Sequence, residues 1–301
     1  MNKQLKADLM LVIVTLCWGV SYILTDIVLQ DMGPFTLNAY RFLGAFIVAA
    51  LIGFKWLRNI SRNTLIFSIM VGTALFLVYM GATFGVMYTT LSNTAFLCAL
   101  TVIFVPVFEV VIFKKMPEKK IAVAVIFSLI GIGLLTLRED FSFNPNNLVG
   151  DLFSISCAFF YASDLLITDY GLKNKGVNAL QLGILQLGVT GVLMAVFAFL
   201  MEKPHLPSGS STFTALVFLA VFCTGLAFIV QSVAQKYTTA AHVGLIFTLE
   251  PIFAGVAAFI YAREVLSLRA YIGAALMIFA LFITEADLGA LFKKKSKKQD
   301  G

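Results

Sequence analysis

The stretch VGLIFTLEPIF, residues 243–253, decides how the rest of this sequence folds. It lies within an apolar run, residues 238–261, that is long enough to cross a bilayer. Glu250 and Pro251 fall near the centre of that run. A charged side chain at bilayer depth costs roughly 2.5–3.5 kcal/mol on insertion scales, so it marks a functional site by default. A proline there bends the helix, which a membrane tolerates beside a neighbouring helix or a cavity. We therefore expect this helix to line a polar cavity.

The composition of the whole chain is that of an integral membrane protein. Apolar residues make up 60% of the sequence, and only 13% of its residues are charged, which excludes a soluble globular domain. The 22 basic residues exceed the 16 acidic ones, but their position in loops indicates membrane topology rather than binding to nucleic acid. The four cysteines lie inside apolar runs without metal-ligand spacing, so we predict neither a metal site nor a cofactor.

Ten apolar segments of about 20 residues follow one another along the chain, and each is long enough to cross the hydrocarbon core. The sequence therefore predicts an all-α integral membrane protein with ten transmembrane helices. The predicted spans are residues 7–29, 35–55, 65–87, 91–113, 120–137, 150–171, 178–201, 212–235, 238–261 and 266–285. Because further spans follow the first, we do not interpret the first as a cleaved signal peptide.

Basic residues are distributed unequally between the two sides of these spans. The loops on one side hold only Arg138, Lys203, Arg263 and Arg269, whereas most other lysines and arginines fall on the opposite side. The positive-inside rule then predicts a multi-pass protein of the cell membrane with both termini in the cytoplasm. The basic tail, residues 288–301, is expected to anchor this topology by contact with anionic lipid in the bilayer.

The two halves of the sequence resemble each other, because identical residues recur at nearly constant offsets of 143 and 145 positions. These pairs are Asp8 and Asp151, Thr25 and Thr168, Asp26 and Asp169, Gly33 and Gly176, Thr94 and Thr239, and Pro106 and Pro251. We predict one repeat at residues 1–138 and a second at 144–287, each with five spans. An odd number of spans inverts the second repeat, an arrangement typical of secondary transporters with a substrate site at the repeat interface. Glu250 has no acidic counterpart, because Val105 stands at the equivalent position.

Three motifs resemble the drug/metabolite transporter superfamily, EamA type. They are CWGVSYI at residues 17–23, RFLGA at 41–45 after a Gly-Pro loop, and LEPIFAGVAAFIYAREVLSLRAYIGAALMI at 249–278. The resemblance covers about residues 7–285. It implies ten helices in two inverted five-helix repeats, and the export or import of small metabolites or drugs.

Polar side chains at helical spacing predict which faces line the cavity. They belong to spans 1, 3, 4, 6, 8 and 9, which leaves spans 2, 5, 7 and 10 as scaffold. The predicted substrate-binding residues are Trp18, Ser21, Tyr79, Thr83, Thr94, Thr101, Tyr161, Asp164, Gln231 and Glu250. The predicted gating or proton-handling residues are Glu250, Pro251, Pro106 and His242. For each one, a hydrogen bond that only holds the helices together is the alternative. Arg41, inside the second span, is interpreted as a helix-packing or snorkelling residue.

The leading functional hypothesis is a secondary transporter that moves a small metabolite, amino acid or drug by alternating access, as an exporter. If transport is coupled to protons, Glu250 is the expected proton site; uncoupled facilitated diffusion is the competing mode. No P-loop, HExxH or GxSxG motif is present, so we predict neither ATP-driven transport nor an enzyme of those classes. The alternative is a membrane-embedded enzyme acting on a lipid-linked substrate, with Asp164, Glu250 or His242 as acid or base. The sequence leaves the substrate, direction, coupling and oligomeric state open, and it is compatible with a monomer.

Overall fold

The structure is a computed structural model, and it describes residues 3–114, 116–136, 147–262 and 267–285. Thirteen α-helices occur in the described part of the chain. They are α1 (Lys3–Leu29), α2 (Pro34–Ile52), α3 (Arg62–Tyr88), α4 (Leu91–Ala99), α5 (Thr101–Phe113), α6 (Lys119–Thr136), α7 (Leu148–Asn174), α8 (Ala179–Met201), α9 (Ser210–Ala220), α10 (Ala227–Gln235), α11 (Ala240–Phe247), α12 (Glu250–Ala262) and α13 (Leu268–Glu285). A π-helical turn, Val221–Leu226, joins α9 to α10.

These helices form ten spans, because three spans consist of more than one helix. The fourth span is α4 with α5, the eighth is α9 with the π-helical turn and α10, and the ninth is α11 with α12. Eight of the described helical segments are long and apolar enough to cross a membrane, and α6 and α13 supply the other two spans. The predicted all-α, ten-helix fold is confirmed. The boundary between the predicted repeats at 138–144, the basic tail at 288–301, Arg138 and Arg263 lie outside the described residues.

The packing between spans follows the internal repeat. The second span packs on its own counterpart, the seventh (α2 on α8), and the fifth packs on the tenth (α6 on α13). The third span packs on the sixth (α3 on α7), and the equivalent pair in the exchanged halves, the eighth and the first, packs through α10 on α1. Exchanging the two halves therefore reproduces the pattern of helix contacts, as an inverted repeat requires.

The two halves are tied together at the side of the bundle where α1 ends, which we call the far side; the near side is where α1 begins. Glu202, just after α8, caps the start of α2. Its carboxylate accepts hydrogen bonds from the backbone N–H groups of Phe35 and Thr36, each at 2.8 Å, and from the Thr36 hydroxyl at 2.6 Å. A carboxylate at this position satisfies unpaired N–H groups and complements the helix dipole. Hydrogen bonding from Ser208 also lowers the pKa of Asp31 below its usual value.

The near side is closed by packed side chains. Ala7, Leu11 and Val14, on one face of α1, are each at most 2% exposed. Every residue from 240 to 249, the first part of the ninth span, is also buried. Within this packing His242 faces Asp8, with 3.3 Å between the imidazole Nε2 and the carboxylate Oδ1. The seam between α1 and α11 therefore separates the interior of the bundle from the near side.

Candidate functional site

A cavity lies in the far half of the bundle and is lined by both halves of the chain. About 730 Å³ of space free of protein atoms lies in this cavity and its mouth, open solvent included. The predicted site residues that line it are Trp18, Ser21, Tyr79, Thr83, Thr101, Tyr161 and Glu250. The wall also has residues that the sequence prediction did not include, among them Tyr22, Thr25, Arg41, Cys98, Cys157, Phe228 and Phe247.

Two spans are interrupted where they border this cavity. Leu100 separates α4 from α5, and its N–H donates a hydrogen bond to the carbonyl of Leu97 at 3.2 Å. In the ninth span, the N–H of Leu249 donates to the carbonyl of Ile246 at 3.0 Å. At both breaks the hydrogen bond reaches three residues back instead of four, so the helix tightens there. Irregular backbone at membrane depth is tolerated where it lines a cavity.

The two equivalent prolines have different places relative to these breaks. Pro251 is the second residue of α12 and directly follows its break, where a residue without an N–H group fits the first helical turn. Pro106 lies inside α5, six residues beyond the break at Leu100. Pro251 therefore marks the position of the break in the ninth span, whereas Pro106 does not mark the break in the fourth span.

The π-helical turn of the eighth span provides polar groups for the cavity wall. The carbonyl oxygen of Cys223 accepts a hydrogen bond from the indole Nε1 of Trp18 at 2.9 Å and from Nη2 of Arg41 at 3.3 Å. The hydroxyl of the next residue, Thr224, accepts a hydrogen bond from Nε of Arg41. Because π-helical turns disturb the regular hydrogen-bond ladder, they often occur at functional sites. Here the turn fixes the positions of one aromatic and one cationic side chain.

Arg41 is turned into the cavity rather than towards a membrane surface. Its side chain is 2% exposed, its Nη2 donates to the Tyr79 hydroxyl at 3.2 Å, and its guanidinium carbon lies 4.7 Å from the centre of the Tyr79 ring. Nη1 donates no hydrogen bond to any described residue. Snorkelling is therefore wrong for Arg41, and the second span does contribute to the cavity wall. The hydrogen bonds from Arg41 to Thr224 and Tyr79 on other spans agree with the packing interpretation. The signal that could have found the contribution to the wall is a cation two turns inside an apolar span.

Glu250, the first residue of α12, lines the same cavity. The Tyr22 hydroxyl lies close enough to interact with its carboxyl group, and the positive charge of Arg41 also acts on it. No direct ion pair joins Glu250 to Arg41 within the described chain. The first span approaches α12 closely here, because a Cβ atom added at Gly19 would lie only 2.6 Å from Cβ of Phe253. The cavity therefore holds one acidic and one basic group that remain separate.

Four aromatic side chains form the near-side floor of the cavity. The Trp18 ring centre lies 4.9 Å from that of Phe247, 5.3 Å from Phe228 and 5.9 Å from Tyr161. Tyr161 and Phe247 stack with an interplanar angle of 7°. The Tyr161 hydroxyl donates a hydrogen bond to the side-chain oxygen of Gln231 at 3.0 Å. This floor, Trp18, Tyr161, Phe228 and Phe247, separates the cavity from the closed near side.

Several predicted site residues lie away from the cavity wall. Asp164 is 1% exposed, lies one turn nearer the near side than Tyr161, and its carboxyl oxygens have no hydrogen-bond partner among the described residues. Thr94 is fully buried and its hydroxyl donates a hydrogen bond to the carbonyl of Thr90, just before α4, at 3.1 Å. His242 lies at the near-side seam beside Asp8. The prediction from helical spacing therefore grouped residues that lie at three different depths of the bundle.

Metal ligation has little support in the described part of the chain. No group of three or more His, Cys, Asp or Glu residues there is arranged to hold a metal ion. The four cysteines are free thiols, and two of them, Cys98 and Cys157, lie on the cavity wall. The site is therefore built from aromatic rings, hydroxyl groups, two thiols, one carboxyl group and one guanidinium group.

Comparison with known proteins agrees with this architecture. A relative from Archaeoglobus fulgidus, named an uncharacterized transporter, is 27% identical over 93% of this chain and 86% of its own length. The uncharacterized transporter YoaV of Bacillus subtilis is 22% identical over 93% of this chain and 97% of its own length. A crystal structure superimposes with a TM-score of 0.77 at 18% identity, over 92% of this chain and 97% of that one, and shows the same fold.

The family assignment rests on both halves of the chain. The model of the EamA-like transporter family matches residues 5–137 and again residues 148–285, which are the two repeats. The two matched segments contain nearly all of the helices described above, including both broken spans and the π-helical turn. The protein is a multi-pass membrane transporter, and it belongs to the EamA-like transporter family.

Proposed function

We propose that this protein is a secondary transporter that carries a small organic molecule across the cell membrane by alternating access, with both termini in the cytoplasm. The observation that carries this proposal is a cavity between two inverted halves that is closed on the near side by the aromatic floor and the α1–α11 seam. Secondary transporters built from inverted repeats bind their substrates at the repeat interface and expose the site to each side in turn. The near side is the cytoplasmic side in the proposed topology.

The parts that would move are the seams between the halves. Opening to the near side requires α1 and α11 to separate at Asp8 and His242, while the hydrogen bonds of Glu202 keep the two halves joined on the far side. The breaks at Leu100 and before Glu250 provide places where two spans can change direction without breaking regular helical hydrogen bonds. We propose that Pro106, Pro251 and His242 serve this gating.

The wall chemistry supports an amphipathic substrate and proton coupling at Glu250. The four aromatic rings suit an apolar or aromatic part of the substrate. A polyanion fits poorly, because Arg41 is the single cationic side chain in the described lining of the cavity. An ionised carboxyl group at bilayer depth is costly unless a cationic ligand or a proton neutralises it. Because a substrate cation and a proton neutralise the same group, one displaces the other, which is the basis of proton–substrate antiport. With an inward proton gradient, antiport exports the substrate.

The transport function can be tested in proteoliposomes. We expect the reconstituted protein to catalyse counterflow, the uptake of a labelled compound against an internal pool of the same unlabelled compound, for some members of a panel of amino acids, organic acids and hydrophobic cations. The transported compound should also protect Cys98 and Cys157 from thiol reagents, because both line the cavity. Counterflow that leaves the reactivity of both thiols unchanged would contradict the assignment of this cavity.

A membrane-embedded enzyme remains the second hypothesis, and the geometry weighs against it. Its candidate acid–base residues are distributed over three places: Glu250 lies on the cavity wall, Asp164 below the floor and His242 at the near-side seam. General acid–base catalysis needs such groups within hydrogen-bond reach of one reacting centre. Incubation of the purified protein with lipid in detergent tests this alternative, since a turnover product there would contradict the transporter proposal.

A further inference from the structure

We propose that a second site, beneath the aromatic floor, binds a dehydrated alkali cation through Asp164, Thr168 and Gln235. The site lies between the sixth and eighth spans, and none of its three residues lines the cavity. It follows from four buried oxygen atoms on these side chains that have no hydrogen-bond partner among the described residues. Ion binding at this place does not depend on the transport function.

Two hydrogen bonds fix how α7 packs against α10. One is the bond of the Tyr161 hydroxyl in the floor. One turn nearer the near side, the side-chain N–H of Gln235 donates to the carbonyl of Leu165 at 2.6 Å. Asp164 directly precedes Leu165, and Thr168 lies four residues after Asp164, on the same face of α7. The Gln235 amide is therefore held against the turn of α7 that carries both other side chains.

Thr168 and Gln235 each have a buried oxygen atom without a partner, although both side chains are at most 2% exposed. A buried hydroxyl in a helix commonly donates to the carbonyl one turn back, as Ser154 and Ser232 do here at 2.8 Å. The Thr168 hydroxyl makes no such bond, and Gln235 uses its N–H group but not its side-chain oxygen. Because buried polar atoms in proteins are nearly always paired, these two oxygens indicate a ligand.

Asp164 determines the charge of that ligand. Its side chain is 1% exposed, and neither carboxyl oxygen has a hydrogen bond or an ion pair with any described residue. An ionised carboxylate in such surroundings is costly until a cation offsets its charge. The site has one negative charge to neutralise, so a monovalent cation fits it. A divalent ion would leave one positive charge uncompensated.

A proton or a water molecule would satisfy this set of oxygens less completely. A proton on Asp164 creates one O–H donor, which can pair with only one of the other oxygens. A buried water molecule donates two hydrogen bonds but leaves the negative charge in place. A hard cation binds carboxylate, hydroxyl and amide oxygens together. The set differs from the familiar clusters of His, Cys, Asp and Glu, because two of its three residues supply neutral oxygens.

The direct test measures the melting temperature of the purified protein in detergent at fixed pH and ionic strength. The salts are NaCl, KCl and N-methylglucamine chloride, whose organic cation is too large for a buried site. We expect NaCl or KCl to raise the melting temperature of the wild type by about 2–4 °C relative to N-methylglucamine chloride, because the cation binds only the folded state. The difference between NaCl and KCl identifies the preferred ion, and MgCl₂ should not replace it.

Variants assign the response to this site. Asp164→Asn keeps the shape of the side chain and removes its charge, so the melting temperature should become the same in all three salts. Asp26→Asn is the matched control, because Asp26 is exposed on α1, and it should respond as wild type does. Thr168→Val keeps the shape and removes one ligand oxygen, so half-maximal stabilisation should need about tenfold more cation. This variant also tests the site if Asp164→Asn does not fold.

The outcomes distinguish this site from other effects of salt. Equal melting temperatures of the wild type in all three salts would overturn the proposal. A response that persists in Asp164→Asn, or that is unchanged in Thr168→Val, would place the bound cation elsewhere and overturn it as well. A cation response that depends on Asp164, in a protein that shows no counterflow of any compound, would support this site and contradict transport.

Discussion

The fourth and ninth spans occupy equivalent places in the two halves of the molecule, yet only the ninth brings a charge to the cavity. Both spans are interrupted beside the cavity, at Leu100 in one and before Glu250 in the other. The first part of the ninth span is buried from residue 240 to 249, whereas α5 exposes Val107 and Val111 on the outside of the bundle. Both halves therefore contain an interrupted span beside the cavity, but only the span of the second half carries an acidic side chain there.

The positions of the two breaks account for this difference. In the repeat alignment Val105 corresponds to Glu250, but Val105 lies five residues beyond its break, inside regular helix, and is fully buried in the apolar core. Glu250 directly follows its break and faces the cavity. A polar group is tolerated at membrane depth where it faces a cavity, so the same alignment position supports an acid in one half only.

The largest effect is expected when an acid is placed at the equivalent position of the fourth span. Val105→Glu buries a carboxyl group in the apolar core without a partner and should destabilise the protein by about 3–5 kcal/mol. Thermal unfolding in detergent measures this loss. Glu250→Val is the matched control and should remain folded, because its side chain faces the cavity. A Val105→Glu protein as stable as wild type would contradict the proposed difference between the spans.

The second-largest effect is expected on the coupling of transport to protons. Glu250→Gln keeps the size of the side chain but cannot bind and release a proton, so an imposed pH gradient should no longer change the rate of transport. Counterflow without a gradient should persist at a reduced rate. The measurement is uptake in proteoliposomes with and without the gradient, and Glu118→Gln should behave as wild type. An unchanged response to the gradient in Glu250→Gln would refute proton coupling at this residue.

Replacing the two equivalent prolines should also affect transport unequally, with the larger effect in the ninth span. Pro251→Ala supplies an N–H group next to the break and favours continuation of the helix across it, so transport should slow several-fold. Pro106→Ala adds an N–H group inside α5, where it can bond to the carbonyl four residues back, and should change the transport rate less while slightly stabilising the helix. Initial rates of counterflow and melting temperatures report the two effects. Equal loss of transport in both variants would indicate that the breaks act alike.

The smallest effect is expected at a pair of equivalent threonines. Thr239 caps α11, since its hydroxyl accepts a hydrogen bond from the His242 N–H at 3.2 Å, whereas the Thr94 hydroxyl donates to the carbonyl of Thr90, just before α4. Loss of a helix cap typically costs about 1 kcal/mol, so Thr239→Val should lower stability by that amount. Thr94→Val should cost less, because the Thr90 carbonyl also accepts a hydrogen bond from the backbone N–H of Thr94 at 2.9 Å. Thermal unfolding distinguishes them, and a larger loss at Thr94 would reverse the expected order.

The fold could be predicted because span length and hydropathy are direct consequences of the bilayer. Ten runs of apolar residues are enough to predict ten helices, and their odd number per repeat gives the inversion. The interruptions were harder to predict. Pro251 marks one of them, but the break at Leu100 and the π-helical turn at Val221–Leu226 have no comparable signal, since they depend on how neighbouring helices pack.

The candidate site was predicted only in part, because helical spacing gives the face of a residue and not its depth relative to neighbouring helices. Tyr161 and Asp164 share a face of α7, yet Tyr161 belongs to the cavity floor and Asp164 lies beneath it. Arg41 was not predicted in the cavity wall, because nothing in the sequence shows that the π-helical turn provides its hydrogen-bond acceptors. The sequence predicted which kinds of chemical group line the cavity better than it predicted which residues supply them.

The central claim is that the closed near-side seam opens during transport. It is tested most directly by the distance between spin labels at Lys6→Cys on α1 and Tyr237→Cys, before α11, in a protein whose four native cysteines are replaced; both residues are exposed on the near side. Alternating access predicts two distances whose populations change when a transported compound is added, the longer one representing separation of Asp8 from His242. A single distance that stays the same with and without the transported compound would contradict it.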